Sequence, residues 1–216
     1  MITGVETVDL VNIGVIRGKV SNDVLSAIKD EVVEIQNDYS KAVPHNIDLA
    51  GHIRKEYLLS KCCDVVEQEA VSLAVEHNKK YNYINTLYTN NTTKKFKFRL
   101  ESLWVNFQER YEFNPLHRHG GVYSFVVWVD IPYFLNFEQK ISPGNKSYTN
   151  RSGMFEFVYT DILGRITGES VLADKTYEGN ILLFPADLHH MVHPFYSTEK
   201  TRISIAGNLE LVADNS

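Results

Sequence analysis

The chain has 216 residues, a formal net charge of -5 and a pI near 5.9. Hydrophobic residues make up 44% and charged residues 23%, an ordinary balance for a globular protein that buries a core. An acidic chain offers no footprint for nucleic acid, and no apolar run reaches the roughly 18 residues of a membrane span. Neither partner is expected, and 1–216 reads as a single domain.

Cys62 and Cys63 are the only cysteines. They adjoin on a predicted helix, where successive side chains diverge by about 100° and do not readily bridge. Without a disulfide framework, and without a basic and apolar leader at residues 1–6, a cytoplasmic setting is expected.

Residues 9–16 predict a short strand. Ser21 caps a helix running to about Ser40, with Leu25, Ile28, Val32 and Ile35 in one apolar stripe. A second helix is expected over 58–80, with His77 on its surface rather than serving as a ligand. From Lys94 the hydrophobic period changes to two, giving strands near 95–109, 121–131, 153–161, 166–173, 179–184, 188–195 and 201–210. Residues 1–93 thus form a helical and strand preface to a β-rich core over 94–210. The polar stretch 132–151, with its Pro143-Gly144-Asn145 turn, is expected to be a loop acting as a lid. The fold class is α+β, mainly β: a sandwich or barrel with the N-terminal helices packed on one sheet.

Three clusters carry chemistry. His117 and His119, two apart in Asn114-Pro115-Leu116-His117-Arg118-His119, share one face of a strand. In the run from Phe184 to Pro194, alternation puts Leu188, His190 and Val192 on one face, leaving His189 and His193 on the other. His190 is the residue able to join the first pair at a metal. On the last strand Arg202, Ser204, Ala206 and Asn208 share a face, opposite Ile203, Ile205 and Leu209. An inward arginine needs an anion, either a core carboxylate or a bound dicarboxylate, because a buried unpaired cation is strongly unfavourable.

In order and type these residues resemble the Fe(II)/2-oxoglutarate-dependent oxygenases of the prolyl-hydroxylase-like superfamily, most closely those of bacteria and tailed phages. The resemblance spans about residues 100–210. It rests on Trp104-Val105-Asn106, Asn114-Pro115-Leu116-His117-Arg118-His119, Phe184-Pro185, His190, Val192, Pro194, Arg202, Ser204 and Asn208. It implies a double-stranded β-helix, or jelly-roll, core. His117, His119 and His190 would hold Fe(II), and Arg202, Ser204 and Asn106 would contact 2-oxoglutarate. The implied activity is a dioxygenase reaction with O2 that hydroxylates an unidentified protein side chain or small molecule and releases succinate and CO2. The chain departs from the family where Asp or Glu is usual and His119 stands. Three arrangements follow: a three-histidine centre, a two-histidine centre completed by water, or a carboxylate from elsewhere, such as Glu109 or Glu112.

Two other classes compete. One is a cupin-like three-histidine dioxygenase or isomerase working without 2-oxoglutarate, which Arg202-x-Ser204 disfavours. The other is a β-sandwich binding module with no enzymatic role.

Overall fold

Among the described residues the chain forms ten strands and four α-helices. The structure, a computed structural model, describes residues 3–8, 10, 12–46, 49, 51–87 and 95–214. The strands are β1 (Ile16–Lys19), β2 (Glu56–Leu58), β3 (Phe96–Gln108), β4 (Asn114–His117), β5 (Tyr123–Asp130), β6 (Phe155–Thr160), β7 (Ile166–Val171), β8 (Asn180–Pro185), β9 (His190–Val192) and β10 (Arg202–Ala213). They form two antiparallel sheets, a large one ordered β1-β8-β5-β10-β3-β2 and a small one ordered β4-β9-β6-β7. This is a jelly-roll.

Two helices, α1 (Asn22–Asn37) and α2 (Cys63–Tyr81), cover the outer face of the large sheet. Val24, Ile28, Val32, Val66, Ala70 and Ala74 pack there against Val105, Phe107, Phe125, Val127, Ile181 and Ile205. On the inner face Val126, Trp128, Leu182 and Phe184 meet Phe155 and Phe157 of the small sheet. Strand β5 is buried along almost its whole length because alternate residues serve these two cores.

Local capping explains how the helices are held. Ser21 caps α1 by accepting the Val24 amide at 3.3 Å, as expected from the sequence. Such caps contribute about 0.5–2 kcal/mol. No side chain caps α2 from its own N-cap, Cys62. Glu31 of α1 does so instead, accepting the amides of Ser60, Lys61 and Cys62 at 2.7–3.0 Å. Burial raises the Glu31 carboxyl, but these amides outweigh it and leave it below its usual range.

Several expectations shift. The first strand covers 16–19 rather than 9–16; residues 9 and 11 lie outside the described residues. The preface is not separate from the core sheet, since β1 and β2 form its two edges. The second helix begins at Cys63, because 56–58 pair with β3. His77 is not on the surface: it is buried, with its ring between the Tyr123 hydroxyl at 2.9 Å and the Gly14 carbonyl at 2.7 Å.

The stretch 132–151 is not a free loop. It contains a short helix, α4 (Leu135–Ile141), following α3 (Tyr83–Leu87) in chain order. Glu138, fully buried, accepts the amides of Tyr196 and Ser197 at 2.7 and 2.9 Å. Asn150 donates to the Gln139 carbonyl and the Ser142 hydroxyl, both at 2.9 Å. A buried carboxylate so held fixes the segment rather than freeing it.

Candidate functional site

The sequence brings three histidines together through strand pairing. In the small sheet His117 of β4 lies directly opposite His190 of β9. His119 lies just past the end of β4, its amide held by the Ala186 carbonyl at 3.0 Å. One ligating atom from each of the three rings lies within 4.8 Å of the others, a spacing that admits a metal ion.

The rings are oriented by their second nitrogens. His117 Nδ1 donates to the Pro115 carbonyl at 2.7 Å, and His190 Nδ1 donates to the Leu188 carbonyl at 2.9 Å. A nitrogen bonded to a carbonyl must carry the proton, so each Nε2 keeps its lone pair. Burial lowers the pKa of all three rings: His190 falls well below its usual value, and His119 falls to about 4, with the His117 charge adding to the effect. All three are neutral near pH 7, the state that ligation requires.

The neighbouring histidines separate as the alternation predicts. His189 is exposed, and His193 bonds Glu156 Oε2 at 2.7 Å. The two alternative carboxylates are also engaged elsewhere. Glu109 pairs with Lys55 and Arg54, and Glu112 pairs with Arg54 and caps the Glu109 amide. Neither joins the histidine cluster.

A cavity between the sheets holds the cluster. Its lining includes His117, His119, His190, Asn106, Arg202 and Ser204, all six residues singled out in the sequence. Phe155, Phe184, Trp128 and Val192 give it apolar walls. Ser204 pairs in register with Asn106 across β10 and β3, and the Asn106 amide reaches the Ser204 carbonyl at 3.4 Å. Asn106 Oδ1 accepts the Trp104 indole N–H at 3.2 Å.

Arg202 is 5% exposed. Its Nη1 donates to the Tyr133 hydroxyl at 2.7 Å and to the Gly153 carbonyl at 3.0 Å. Both acceptors are neutral, and among the described residues no carboxylate pairs with it. Burial keeps the Tyr133 phenol protonated, Arg202 only partly opposing, and its hydroxyl donates to the same Gly153 carbonyl at 2.7 Å. Gly153 has φ +76°, and a Cβ there would meet the Tyr133 ring at 2.9 Å, so this cradle needs glycine.

Sequence reasoning missed Tyr133, which fell in the supposed lid, and Glu56, Leu49 and Ile53, which come from the preface and also line the cavity. No described residue of 132–151 lines it. No helix among the described residues is long and apolar enough to cross a membrane.

Residues 102–208 match the family described as "Putative 2OG-Fe(II) oxygenase". No curated protein is similar to the chain in sequence. Among solved structures, a prolyl-4-hydroxylase of Pseudomonas putida is similar at TM-score 0.55 and 13% identity, covering 90% of this chain and 91% of that one. The α-ketoglutarate-dependent epimerase SnoN of nogalamycin biosynthesis is similar at TM-score 0.57 and 14% identity, covering 91% and 76%. AviO1 of Streptomyces viridochromogenes Tue57 is similar at 0.51 and 13%, covering 94% and 90%. At these identities the structural likeness speaks for the fold, and the sequence match speaks for the family. Over residues 102–208 the chain matches the 2OG-Fe(II) oxygenases, an oxidoreductase family that uses Fe(II), 2-oxoglutarate and O2.

Proposed function

We propose that the protein hydroxylates an aliphatic C–H bond of its substrate, with His117, His119 and His190 as the iron ligands and Arg202, Ser204 and Asn106 as the 2-oxoglutarate site. The donor set fits: imidazole nitrogen suits Fe(II), and three ligands on one side leave positions for co-substrate and oxygen. Iron, when bound, supplies the oxidative decarboxylation of 2-oxoglutarate to succinate and the oxidising power for the substrate C–H bond. The residues of the chain do the positioning.

The observation that carries this reading is Arg202. A buried guanidinium held by a phenol and a carbonyl, with no carboxylate partner among the described residues, is costly unless an anion joins it. The far carboxylate of 2-oxoglutarate fits, since a guanidinium takes a carboxylate bidentately. Ser204 and Asn106 stand on neighbouring strands of the same face and supply further polar contacts. Apolar walls from Phe155, Phe184 and Val192 exclude water and strengthen these bonds. The Nδ1 bonds of His117 and His190 hold their rings in the ligating tautomer while the co-substrate changes.

Succinate formation from 2-oxoglutarate under O2 and Fe(II) tests the reading. It is expected in the parent protein and absent from Arg202→Ala and His190→Ala. Succinate formed equally by all three would remove the assignment.

A further inference from the structure

The cavity contains a second polar end that the co-substrate reading leaves unused. Glu56 lines it, is 1% exposed, and comes from β2 at the edge of the large sheet. Its Oε2 accepts from Asn46 Nδ2 at 3.2 Å, while among the described residues its buried Oε1 has no hydrogen-bond partner. Asn114, also in the lining and three residues before His117, likewise has a buried Oδ1 without a partner among the described residues. Orphaned buried acceptors are rare in folded proteins and call for an explanation.

Sheet register fixes where Glu56 stands. Glu56 is opposite Asn106, and Asn106 is opposite Ser204, so all three point to the same side along one row. Strand spacing puts Glu56 about 10 Å across the sheet from Ser204. Glu56 does not join the histidine cluster and forms no ion pair with Arg202 among the described residues. Among the described residues the cavity is therefore polarised: a cation without an anion at the β10 side, and a carboxyl with one unpartnered oxygen at the β2 side.

Resting on the assignment of Arg202 to 2-oxoglutarate, we propose that Glu56 and Asn114 bind a primary ammonium group of the oxidised substrate. An ammonium carries three N–H donors and no acceptor, which complements two orphaned acceptors. The Glu56 carboxyl is held up at about 7, burial contributing most and the Glu112 charge next. An arriving cation would stabilise its ionised form, so binding near neutrality should release a proton. Leu49 and Ile53 line the same cavity and offer apolar surface to the alkyl chain that bears the amine.

The test uses protein loaded with Zn(II), a redox-inert stand-in for iron, and 2-oxoglutarate. Saturation-transfer NMR compares n-pentylammonium, Nα-acetyl-lysine methylamide and the neutral 1-hexanol on the parent, Glu56→Gln and Glu56→Asp. At least one of the two ammonium probes should bind at least tenfold better than the alcohol to the parent. That preference should vanish in Glu56→Gln and return in part in Glu56→Asp, which keeps the carboxylate. The stronger ammonium probe identifies a free amine or a peptidyl lysine as the source. No ammonium preference in the parent, or an equal preference in Glu56→Gln, would overturn the proposal. Binding of 2-oxoglutarate, titrated separately by calorimetry, should be the same in the parent and both variants. Its absence from the parent would count against the co-substrate reading, while the ammonium comparison still reports on Glu56.

Discussion

His117 and His190 face each other across the β4–β9 ladder with ring centroids 4.3 Å apart, and each ring is fixed by a carbonyl two residues earlier. His119 completes the cluster from outside the strand, at 5.0 and 5.1 Å from the other two rings. If all three ligate, alanine at any of them should lower Fe(II) affinity by more than the roughly 10–100-fold typical of losing an outer partner. Anaerobic metal titration of the three variants checks this. A His119→Ala protein that binds iron like the parent would leave a two-histidine centre.

Arg202→Ala should weaken 2-oxoglutarate binding by about 2–5 kcal/mol, the range for breaking a desolvated charge pair. Metal affinity should stay within a few-fold. Tyr133→Phe removes one acceptor from the guanidinium and should weaken the same binding by roughly 1 kcal/mol. Calorimetry on metal-loaded protein measures both. Unchanged 2-oxoglutarate affinity in Arg202→Ala would end its assigned role.

Glu56 gives a pH signature in stability. Its folded carboxyl sits at about 7 against an ordinary 4.5. A raised folded value means that the contribution is present below about 4.5 and lost as pH rises through 7. Glu56→Gln abolishes that loss, so its melting temperature should gain on the parent between pH 5 and pH 8, on the order of a few degrees. Thermal melts of both proteins across this window measure the gap. A gap that does not change with pH would contradict the assignment.

Glu138 anchors α4 to the segment after β9, and the cavity lies elsewhere. Glu138→Ala should therefore destabilise the fold by about 2–4 kcal/mol, since two buried amides lose a charged acceptor. Urea denaturation measures it, and 2-oxoglutarate affinity should change much less than stability. The opposite pattern, unaltered stability with altered turnover, would restore a lid role to 132–151.

The core strands and the cavity-facing residues were legible because β-alternation is local. Arg202 and Ser204 needed only a period of two, whereas Asn106 came from the family resemblance, and the register places it opposite Ser204. His190 was separated from His189 by the same rule. What the sequence hid depends on long-range closure. Glu56 reads as an ordinary surface residue until β2 pairs with β3 and turns it inward. His77 is a helix residue whose burial depends on Tyr123 and Gly14, 46 and 63 positions away. Tyr133 sits in a polar-looking stretch whose order comes from Glu138 and residues 196 and 197.

Anaerobic titration of the protein with Fe(II) and 2-oxoglutarate, followed by visible absorption, tests the central claim most directly. One Fe(II) per chain should bind, and adding 2-oxoglutarate should produce a weak charge-transfer band that saturates at one equivalent. Arg202→Ala should need much more 2-oxoglutarate to reach it, and His190→Ala should show none. A parent protein that binds no divalent metal, or whose spectrum ignores 2-oxoglutarate, would contradict the account.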